Sequence, residues 1–558
     1  MAHRRVIGLG HRGIGLAHHE TIWSPSRIWQ HFTGLREHSF SPQFARRSSS
    51  ASSTELPSGQ VVESASKPES SWAVEIVPKW EEVVIALGGN IGDRVNNFNK
   101  ALEMLREAGI RVTGYGCLYE SAPAYVTDQP MFLNSAIKAS TSLDPNALLR
   151  TVKKIERELG RSEGGLRYGP RPIDLDIIFH GSSTVNTDVL QIPHPRLIER
   201  PFVLAPVVDL LGGDTLGCPA GHWSAHPFLQ GGLLEVWREN GGEECVGKEG
   251  LRRVTPIGSK LWDWGQKTHI MGILNLTPDS FSDGGLYTEV DGALAQVRRM
   301  VSEGADFIDI GAQSTRPGAQ RLTTERELER LLPALDALAD APDLKEVCFS
   351  IDTFDSRVVK EAVARGVHLV NDVSAGLLDP EMWETVSKLG VSYVAMHMRG
   401  DPTVMQNKSN TSYSNLCFDV ATELASNVRY AELAGIPAWR IITDPGLGFA
   451  KSFEQNVELM RELRAFREQL SVTSSQAIGN GPILLGPSRK GFLGKLCGHP
   501  KGKDRDFATV AATVVGIAGG ADIIRAHNVS AVQDAVKVAD AVYKMKAGHP
   551  EKPMGPIQ

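Results

Sequence analysis

The chain lacks the features that mark membrane, disulfide-stabilised and nucleic-acid-binding proteins. It contains no run of about 18 apolar residues, so we predict no membrane span and no membrane partner. Its six cysteines are scattered and form no C-x-x-C pair, which favours reduced thiols over disulfides or a zinc site. Its net charge of −6 gives no overall positive field, so we expect no nucleic-acid partner. With 41% hydrophobic and 22% charged residues, the chain is predicted to be a soluble globular protein.

The first 50 residues are almost free of acidic side chains. They contain seven arginines and no lysine against two glutamates, and they are rich in serine and histidine. This composition is typical of an organelle transit peptide, and the lack of a compact apolar core favours a mitochondrial over a secretory leader. A disordered cytosolic tail is the alternative. We predict that residues 1–80 are a transit peptide and flexible linker and that the protein is in the mitochondrial matrix, with the cytosol as the alternative.

Residues 82–240 have the pattern of a first packed domain, one of about three or four that a chain of 558 residues can form. Buried apolar runs alternate with helical segments, in which Phe98, Leu102 and Leu105, for example, are spaced to share one face. This alternation does not decide between parallel and antiparallel pairing. We predict strands over 83–90 and 132–139 and helices over 96–108 and 147–160. Residues 212–250 are rich in Gly and Glu and have few periodic apolar positions, which indicates a connection between domains. We assign this connection to residues 241–265.

Residues 266–550 show a second rhythm, in which short apolar runs recur eight times. Amphipathic segments of helical period fill the gaps between the runs. Eight strand–helix units over roughly 270 residues are typical of a (β/α)8 barrel, and an open doubly wound sheet is the alternative. The predicted strands are 269–276, 307–314, 348–353, 369–374, 392–398, 441–446, 483–488 and 523–528.

Each of these runs has polar residues at its C-terminal end, and in a barrel that end carries the active site. The residues are Asn275, Ser314, Asp352, Asn371, His397, Asp444, Ser488 and His527. An ordinary turn is the alternative for any single position. Asp352, Asn371 and Asp444 suit the edge of a flat, nitrogen-rich ring. Lys490, Arg525 and His527 add positive charge, and Asn275 offers an oxygen of the kind that Mg²⁺ prefers. We infer a polar heterocycle that bears phosphate.

Several segments of this region resemble the dihydropteroate synthase family, over about residues 266–545. They are T-H-I-M-G-I-L-N-L-T-P-D-S-F-S-D-G-G, D-I-G-A-Q-S-T-R-P-G, S-I-D-T, D-P-G-L-G-F-A-K and S-R-K. The resemblance implies condensation of a pterin-methyl diphosphate with p-aminobenzoate to give dihydropteroate, in an SN1-like step ordered by loop closure. It also implies a homo-oligomer through the barrel. A barrel of the pterin-dependent methyltransferase group is the alternative, which the S-T-R-P-G and S-R-K segments disfavour.

The same resemblance implies a role for each matching residue of the barrel. It implies that Asp352, Asn371, Asp444 and Lys490 hold the pterin. It implies that Asn275, Arg525 and His527 hold Mg²⁺ and the diphosphate, and that Thr315 and Arg316 lie in a loop that closes over p-aminobenzoate. Asp352, Lys490 and Arg316 would be the catalytic side chains.

The stretch G-P-R-P-I-D-L-D-I-I-F-H (169–180) places Asp174 and Asp176 two residues apart in an apolar segment. In a strand, both carboxylates point to the same face. A half-buried strand with one face in water is the alternative. With arginines and a histidine nearby, two carboxylates suit a Mg²⁺-nucleotide. No Walker motif is present, so we expect no P-loop enzyme, and G-G-N-I-G-D (88–93) is interpreted as a turn.

The stretch G-P-R-P-I-D-L-D-I-I, with I-P-H-P-R and R-P-F downstream, resembles the 6-hydroxymethyl-7,8-dihydropterin pyrophosphokinase family over roughly 82–240. The resemblance implies a ferredoxin-like α+β fold and transfer of a diphosphate from ATP to the pterin hydroxymethyl group, giving AMP. It implies that Asp174 and Asp176 bind Mg²⁺, that Arg161 and Arg171 act from a loop as catalytic and ATP-binding residues, and that His194 and Arg200 contact ATP. The implied pterin contacts are Ser121, Phe132, Asn134 and Phe202.

Two positions depart from this second family pattern. Glu163 stands where a second loop arginine is common, and Tyr168 stands where some members have Trp. Loop closure would therefore depend on Arg167 or Arg171. One chain with both activities behind an Arg- and Ser-rich leader resembles the plant mitochondrial bifunctional enzymes of folate biosynthesis. A chain in which one domain is a non-catalytic scaffold is the alternative.

Overall fold

The computed structural model describes residues 79–162, 164, 166–212, 232–246, 250–276 and 285–544. Three features expected from the sequence lie outside these residues: the leader and linker up to residue 78, Glu163, and the loop 277–284 after the first barrel strand. Among the described residues, no helix combines the length and the apolar composition needed to cross a bilayer.

The first domain is an antiparallel sheet with helices packed against it. Its elements are β1 (Glu81–Gly89), α1 (Arg94–Glu107), β2 (Arg111–Tyr115), β3 (Leu118–Ser121), β4 (Phe132–Thr141), α2 (Pro145–Glu158), β5 (Asp174–His180), β6 (Val185–Asn186), β7 (Gln191–Ile192), α3 (Pro201–Leu211) and α4 (Leu233–Glu239). The strand order is β5-β1-β4-β3, with β2 also paired to β4, and every one of these pairings is antiparallel. This confirms the predicted ferredoxin-like α+β fold and resolves the pairing that the sequence left open.

The two helices that follow β1 and β4 begin where the sequence supplies a cap. The Asp93 side chain accepts from the backbone N–H of Asn96, and the Asp144 side chain accepts from the N–H groups of Asn146 and Ala147. Each cap satisfies backbone donors that the first helical turn leaves without partners. The caps fix where both helices start.

The connection expected over 241–265 contains a β-hairpin, which the sequence reading did not separate from a loop. Its strands are β8 (Leu251–Ile257) and β9 (Lys260–Asp263). β8 pairs with β3 and so extends the first sheet. Ile257 and the rings of Trp262 and Trp264 pack against the buried residues at the amino ends of the barrel strands, including Met271 and Phe307. The hairpin therefore belongs to the first sheet and also covers the base of the barrel.

The second domain is a closed barrel of eight parallel strands. Its elements are β10 (His269–Asn275), α5 (Gly285–Ser302), β11 (Phe307–Gly311), α6 (Thr324–Asp340), β12 (Cys348–Asp352), α7 (Ser356–Val363), β13 (Leu369–Asp372), α8 (Met382–Leu389), β14 (Ser392–Met396), α9 (Leu416–Leu433), β15 (Ile441–Asp444), α10 (Phe453–Arg461), α11 (Leu463–Thr473), α12 (Gln476–Gly479), β16 (Leu484–Leu485), α13 (Gly491–Cys497), α14 (Asp506–Ala518), β17 (Ile523–Ala526) and α15 (Val529–Tyr543). Neighbouring strands pair in chain order, β17 pairs with β10, and a bridge between Thr443 and Ile483 closes the ring. The (β/α)8 prediction is confirmed.

Side chains of the barrel pack directly against the first domain. The Trp439 ring lies edge-on to the rings of Phe98 and Tyr115, with centroids 6.4 and 5.6 Å apart. The carboxylate of Asp209 on α3 accepts a hydrogen bond from Asn480 Nδ2 at 2.8 Å. The contact thus combines buried aromatic packing with a polar group that has its partner.

Candidate active sites

The first candidate site is a cavity of about 760 Å³ bordered by β1, β4, β5 and the loops that follow them. It is lined by all ten residues that the sequence assigned to this domain: Ser121, Phe132, Asn134, Arg161, Arg171, Asp174, Asp176, His194, Arg200 and Phe202. These residues come from six separate segments of the chain. The fold therefore brings the whole predicted set together.

The paired carboxylates lie on one face of β5. Asp174 and Asp176 both line the cavity, whereas Leu175 and Ile177 are buried on the other side of the strand. This is the alternation expected from a strand. The face that carries the acids does not simply contact bulk water, because it forms a wall of a concave site.

The two carboxylates differ in their partners. Asp174 forms ion pairs with Arg161 and with Arg171, whose Nη1 lies 3.4 Å from Asp174 Oδ2. Burial acts to raise the pKa of Asp174, but Arg171 and Arg161 hold that pKa below its ordinary value. Within the described part of the chain, Asp176 has no hydrogen bond or ion pair. Burial, and then the charge of Asp174, raise the pKa of Asp176.

Glu156 on α2, which sequence reasoning missed, joins several groups of this site. Its Oε1 accepts from the Leu175 backbone N–H and from Lys153 Nζ, both at 2.7 Å. Its Oε2 lies 2.8 Å from Arg161 Nη1. The signal in the sequence was a glutamate next to Ile155, on the apolar face of a helix, where an unpaired charge would be costly. Glu156 links the loop arginine to the strand that carries both acids.

Tyr168, one of the two departures noted above, forms an aromatic pair at the rim of the cavity. Its ring centroid lies 4.4 Å from that of Tyr125. Arg196 Nη1 donates to Tyr168 Oη at 2.5 Å, and Arg200 Nε donates to Tyr125 Oη at 3.2 Å. The Arg167 guanidinium lies 5.1 Å from the Tyr168 ring centroid. These contacts orient the basic side chains of the rim, and the part each arginine takes in loop closure stays a prediction.

The second candidate site lies at the carboxyl ends of the barrel strands and is organised around Arg525. Arg525 Nε donates to Asp309 Oδ2, and its Nη2 donates to Asp352 Oδ2, both at 2.6 Å. Asn371 Nδ2 donates to the same oxygen of Asp309 at 2.8 Å. Sequence reasoning missed Asp309, although an acid in the middle of the apolar run F-I-D-I-G was a signal that could have identified it. Asp352, Asn371 and Arg525 are thus brought together as predicted.

Burial perturbs the titratable groups of this barrel site. Burial raises the pKa of Asp352 to about 7 and that of Asp444 to about 6. Burial, with the charge of Arg525, lowers the pKa of Lys490 to about 8. The Oδ1 atoms of Asp309 and Asp352 are buried and accept no hydrogen bond from the described residues. Such carboxylate oxygens are suited to accept hydrogen bonds from a ligand.

Lys490 and His527 are each held by neighbours along the rim. Lys490 Nζ lies 4.2 Å from the centroid of the Phe449 ring. Arg489, the residue before Lys490, has a φ of +57° and is fixed in this left-handed conformation by a bidentate contact with Asp506. His527 Nδ1 lies 2.9 Å from Ser488 Oγ. Burial, with the charge of Arg525, lowers the pKa of His527 to about 3.

The remaining predicted residues of the barrel lie nearby but have fewer contacts. Asn275 is the last residue of β10 and lies in register with Gly311 at the end of β11. Thr315 and the exposed Arg316 follow β11 in a loop that is tied to the neighbouring loop by the hydrogen bond from Gly318 N to Pro402 O. Among the described residues, the Arg316 backbone N–H donates to Ser314 Oγ at 3.5 Å, but no hydrogen bond or ion pair joins Thr315 or the Arg316 side chain to the acids and bases at the other strand ends.

The described residues contain no group of three or more His, Cys, Asp or Glu side chains placed to hold a metal ion alone. Mg²⁺ does not require such a group, because it commonly takes one or two carboxylates together with waters and substrate phosphates. Asp174 and Asp176 on a cavity wall fit that donor set, since Asp176 has no partner among the described residues.

A ferredoxin-like domain with a carboxylate-lined cavity, followed by a barrel with acids and bases at its strand ends, defines a two-domain transferase. Residues 84–212 match the family described as 7,8-dihydro-6-hydroxymethylpterin-pyrophosphokinase, and residues 271–527 match the family described as Pterin binding enzyme. The two family matches fall on the two domains of the structure.

Curated relatives cover both domains. The mitochondrial folate synthesis bifunctional protein of Arabidopsis thaliana is 53% identical over 86% of this chain and 86% of its own length. The protein of the same name from Pisum sativum is 52% identical over 86% of this chain and 92% of its own length. A solved Plasmodium falciparum HPPK-DHPS with pteroate is 21% identical, covers 84% of this chain and 98% of its own, and has a TM-score of 0.64, which supports the fold.

The chain belongs to the family of bifunctional folate synthesis proteins. It is a bifunctional transferase of folate biosynthesis, with a hydroxymethyldihydropterin pyrophosphokinase domain followed by a dihydropteroate synthase domain. The predictions of both activities, of their order along the chain and of a mitochondrial protein are confirmed.

Proposed function

We propose that the cavity of the first domain holds ATP and 6-hydroxymethyl-7,8-dihydropterin side by side. Arg161, Arg171, His194 and Arg200 bind ATP. Ser121, Phe132, Asn134 and Phe202 bind the pterin. The observation that carries this proposal is that all eight side chains and both aspartates line one cavity. Because diphosphate transfer depends chiefly on positioning and on charge neutralisation, a preassembled set of cations accounts for the chemistry.

Asp174 and Asp176 are the proposed Mg²⁺ ligands of the first site. When bound, Mg²⁺ supplies positive charge that offsets the charge of the ATP phosphates. Arg161 and Arg171 now neutralise Asp174, and they become available to phosphate oxygens when the aspartate has another cation. Asp176 has no such protein partner among the described residues, so its carboxylate is ready to accept a cation.

In the barrel, Asp352, Asn371, Asp444 and Lys490 are proposed to bind the pterin ring. The free Oδ1 of Asp352 accepts hydrogen bonds from ring N–H groups, and Lys490 donates to ring acceptors. Positive charge that develops on the pterin methylene spreads into the ring, where the carboxylates of Asp352 and Asp444 stabilise it. The bond between the methylene and the diphosphate oxygen breaks, the diphosphate leaves, and the aryl amine attacks the methylene and loses a proton to give dihydropteroate.

Arg525, His527 and Asn275 are proposed to hold the diphosphate and its Mg²⁺. Ser488 Oγ accepts from the His527 backbone N–H, so its hydroxyl proton is free to donate to His527 Nδ1. That hydrogen bond leaves the imidazole proton on Nε2, where it can be donated to a phosphate oxygen. The loop of Thr315 and Arg316 covers p-aminobenzoate in this proposal.

Exposed apolar side chains on α14 and α15 support the proposed homo-oligomer through the barrel. Phe507 is 92% exposed, and Val538, Val542 and Tyr543 are also exposed. We propose that a second copy of the chain covers this surface. Light scattering should give the mass of a dimer, and the variant Phe507→Asp should shift the protein to a monomer.

The location in the mitochondrial matrix rests on the composition of residues 1–80 and on the relatives that are named mitochondrial. A fluorescent fusion of residues 1–80 tests it. A matrix signal supports the proposal, and a cytosolic signal contradicts it.

One assay tests both chemical steps. The chain is supplied with hydroxymethyldihydropterin, ATP, Mg²⁺ and p-aminobenzoate, and the products are separated. We expect AMP and dihydropteroate. ADP in place of AMP would contradict diphosphate transfer, and AMP without dihydropteroate would mean that the barrel is a non-catalytic scaffold. Methyl transfer to a corrinoid would favour the methyltransferase alternative.

A further inference from the structure

A polar cluster next to Asp444 combines two buried side chains with two that are partly exposed. The cluster, called here the Lys451 cluster, consists of Lys451, His397, Glu423 and Arg399. Lys451 Nζ lies 3.0 Å from His397 Nδ1, and His397 Nε2 lies 3.0 Å from Glu423 Oε2. Lys451 is 2% exposed and His397 is 1% exposed. None of the roles assigned above uses these residues.

The protonation states within the cluster follow from its contacts. Although burial acts to raise the pKa of Glu423, hydrogen bonds from Arg399 and His397 lower it to about 2. Burial, with the charge of Lys451, lowers the pKa of His397 to about 4. The imidazole is therefore neutral, with its proton on Nε2 facing the Glu423 carboxylate and a bare Nδ1 that accepts from Lys451.

Lys451 ties the cluster to the loop that follows β15. Its Nζ also donates to the carbonyl oxygen of Phe449 at 3.1 Å. At the other end of the same loop, the backbone N–H of His397 donates to the backbone carbonyl oxygen of Asp444 at 2.9 Å. The loop turns at Gly446, whose φ is +74° and where a Cβ would lie 2.1 Å from the His397 carbonyl oxygen. Both ends of the loop are thereby fixed against the cluster.

We propose that Lys451 is a positioning residue for the pterin site: it fixes the 444–451 loop and, through Phe449, the ammonium group of Lys490. Lys490 Nζ lies 4.2 Å from the centre of the Phe449 ring, a cation–π geometry, so the position of the ring determines where Lys490 is most stable. If the Phe449 carbonyl loses the hydrogen bond from Lys451, we expect the Phe449 ring to move and the preferred position of the Lys490 ammonium group to move with it. The inference rests on the proposed role of Lys490.

The first test is the variant Lys451→Met, which keeps the length of the side chain and removes its donors. We expect the KM for the pterin diphosphate to rise by about tenfold or more, since two buried acceptors lose their donor. The kcat of condensation should change by less than about threefold. AMP formation by the first domain of the same chain reports that the protein is folded. Lys495→Met removes an exposed lysine of α13 and is the matched control.

Phe449→Leu tests the contact between Phe449 and Lys490 without changing a residue of the Lys451 cluster. It should raise the same KM. The KM of the double variant Lys451→Met/Phe449→Leu should not exceed that of the more affected single variant, because both changes break one chain of contacts. A KM within about twofold of wild type in either single variant would overturn the inference. Lys490→Met distinguishes failure of the pterin-binding role of Lys490 from failure of the positioning role of Lys451. If Lys490→Met also leaves the KM unchanged, the proposed role of Lys490 is wrong. If Lys490→Met is the one variant of the three that raises the KM, only the positioning role of Lys451 is wrong.

Discussion

In the first domain one acid of the site, Asp174, pairs with arginines carried on loops, whereas in the barrel Asp352 pairs with an arginine fixed on a strand. Asp174 pairs with Arg161 and Arg171, which lie between α2 and β5. Asp352 pairs with Arg525, a residue of β17. The proposed function requires the first arrangement to exchange its partners when a metal–nucleotide enters. The second holds charges in place before the substrate arrives, which is the arrangement that stabilises developing charge.

The exposure of the acids differs in the same way, because 17% of the Asp174 side chain is exposed whereas Asp352 and Asp444 are buried. The cavity of the first domain has a volume of about 760 Å³, and basic side chains reach its rim. In the barrel, burial raises the pKa values of Asp352 and Asp444 to about 7 and about 6. In the proposed function, one chain therefore uses exchangeable charges to transfer a diphosphate and fixed charges to displace one.

The variant Asp352→Asn should break the fixed-charge arrangement and produce the largest effect. Without the carboxylate, the pterin cation loses its stabilising charge, so we expect condensation to slow by about a hundredfold. AMP formation should stay within about twofold of wild type, because the first site is separate. Initial rates of dihydropteroate and AMP formation measure both. Asp336→Asn, at an exposed acid of α6, is the control, and wild-type turnover of Asp352→Asn would remove the assignment.

The same substitution tests the pKa of Asp352 through stability. The pKa of an unfolded aspartate is about 3.9, whereas that of Asp352 is raised to about 7, so the native state binds the extra proton between these values. The wild-type chain therefore loses stability as pH rises through this window, and Asp352→Asn does not. As the pH rises from about 5 to about 8, the unfolding free energy of the variant minus that of wild type should increase by about 2–3 kcal/mol. Calorimetry of the barrel transition measures this difference in unfolding free energy. A difference that does not change with pH would contradict the raised pKa of Asp352.

Arg161→Met tests the exchangeable charges of the first site. The loss of one phosphate-binding guanidinium should raise the KM for ATP by about tenfold, with condensation unaffected. Lys154→Met, at an exposed lysine of α2, is the control. An unchanged KM for ATP would show that Arg161 serves only to neutralise Asp174 in the absence of nucleotide.

Tyr168→Phe should give the smallest effect. It removes the hydroxyl that accepts from Arg196 but leaves the ring packed against that of Tyr125, so the KM for ATP should change by less than about threefold. Steady-state kinetics at several ATP concentrations measure it. A tenfold or larger change would mean that the rim, and not the loop arginines, controls nucleotide binding.

Much of the fold was predictable because its signals are local. Eight apolar runs with polar carboxyl ends identified the barrel, and the two-residue spacing of Asp174 and Asp176 identified their common face. The hairpin at Leu251–Asp263 was missed because its short strands are stabilised by partners on β3 and at the barrel base, which are distant in sequence. Asp309 and Glu156 were missed for a related reason, since an acid inside an apolar element becomes meaningful only when its partner, Arg525 or Arg161, is known.

Asp176 is the acid of the first site that has no partner among the described residues, and the proposed metal site requires it. The direct measurement is to assay the two half-reactions separately in the full chain carrying Asp176→Asn. We predict that AMP formation from ATP and hydroxymethyldihydropterin falls by about a hundredfold or more, while supplied pterin diphosphate and p-aminobenzoate are still condensed at the wild-type rate. Undiminished AMP formation, or the loss of both half-reactions in a folded chain, would contradict the account.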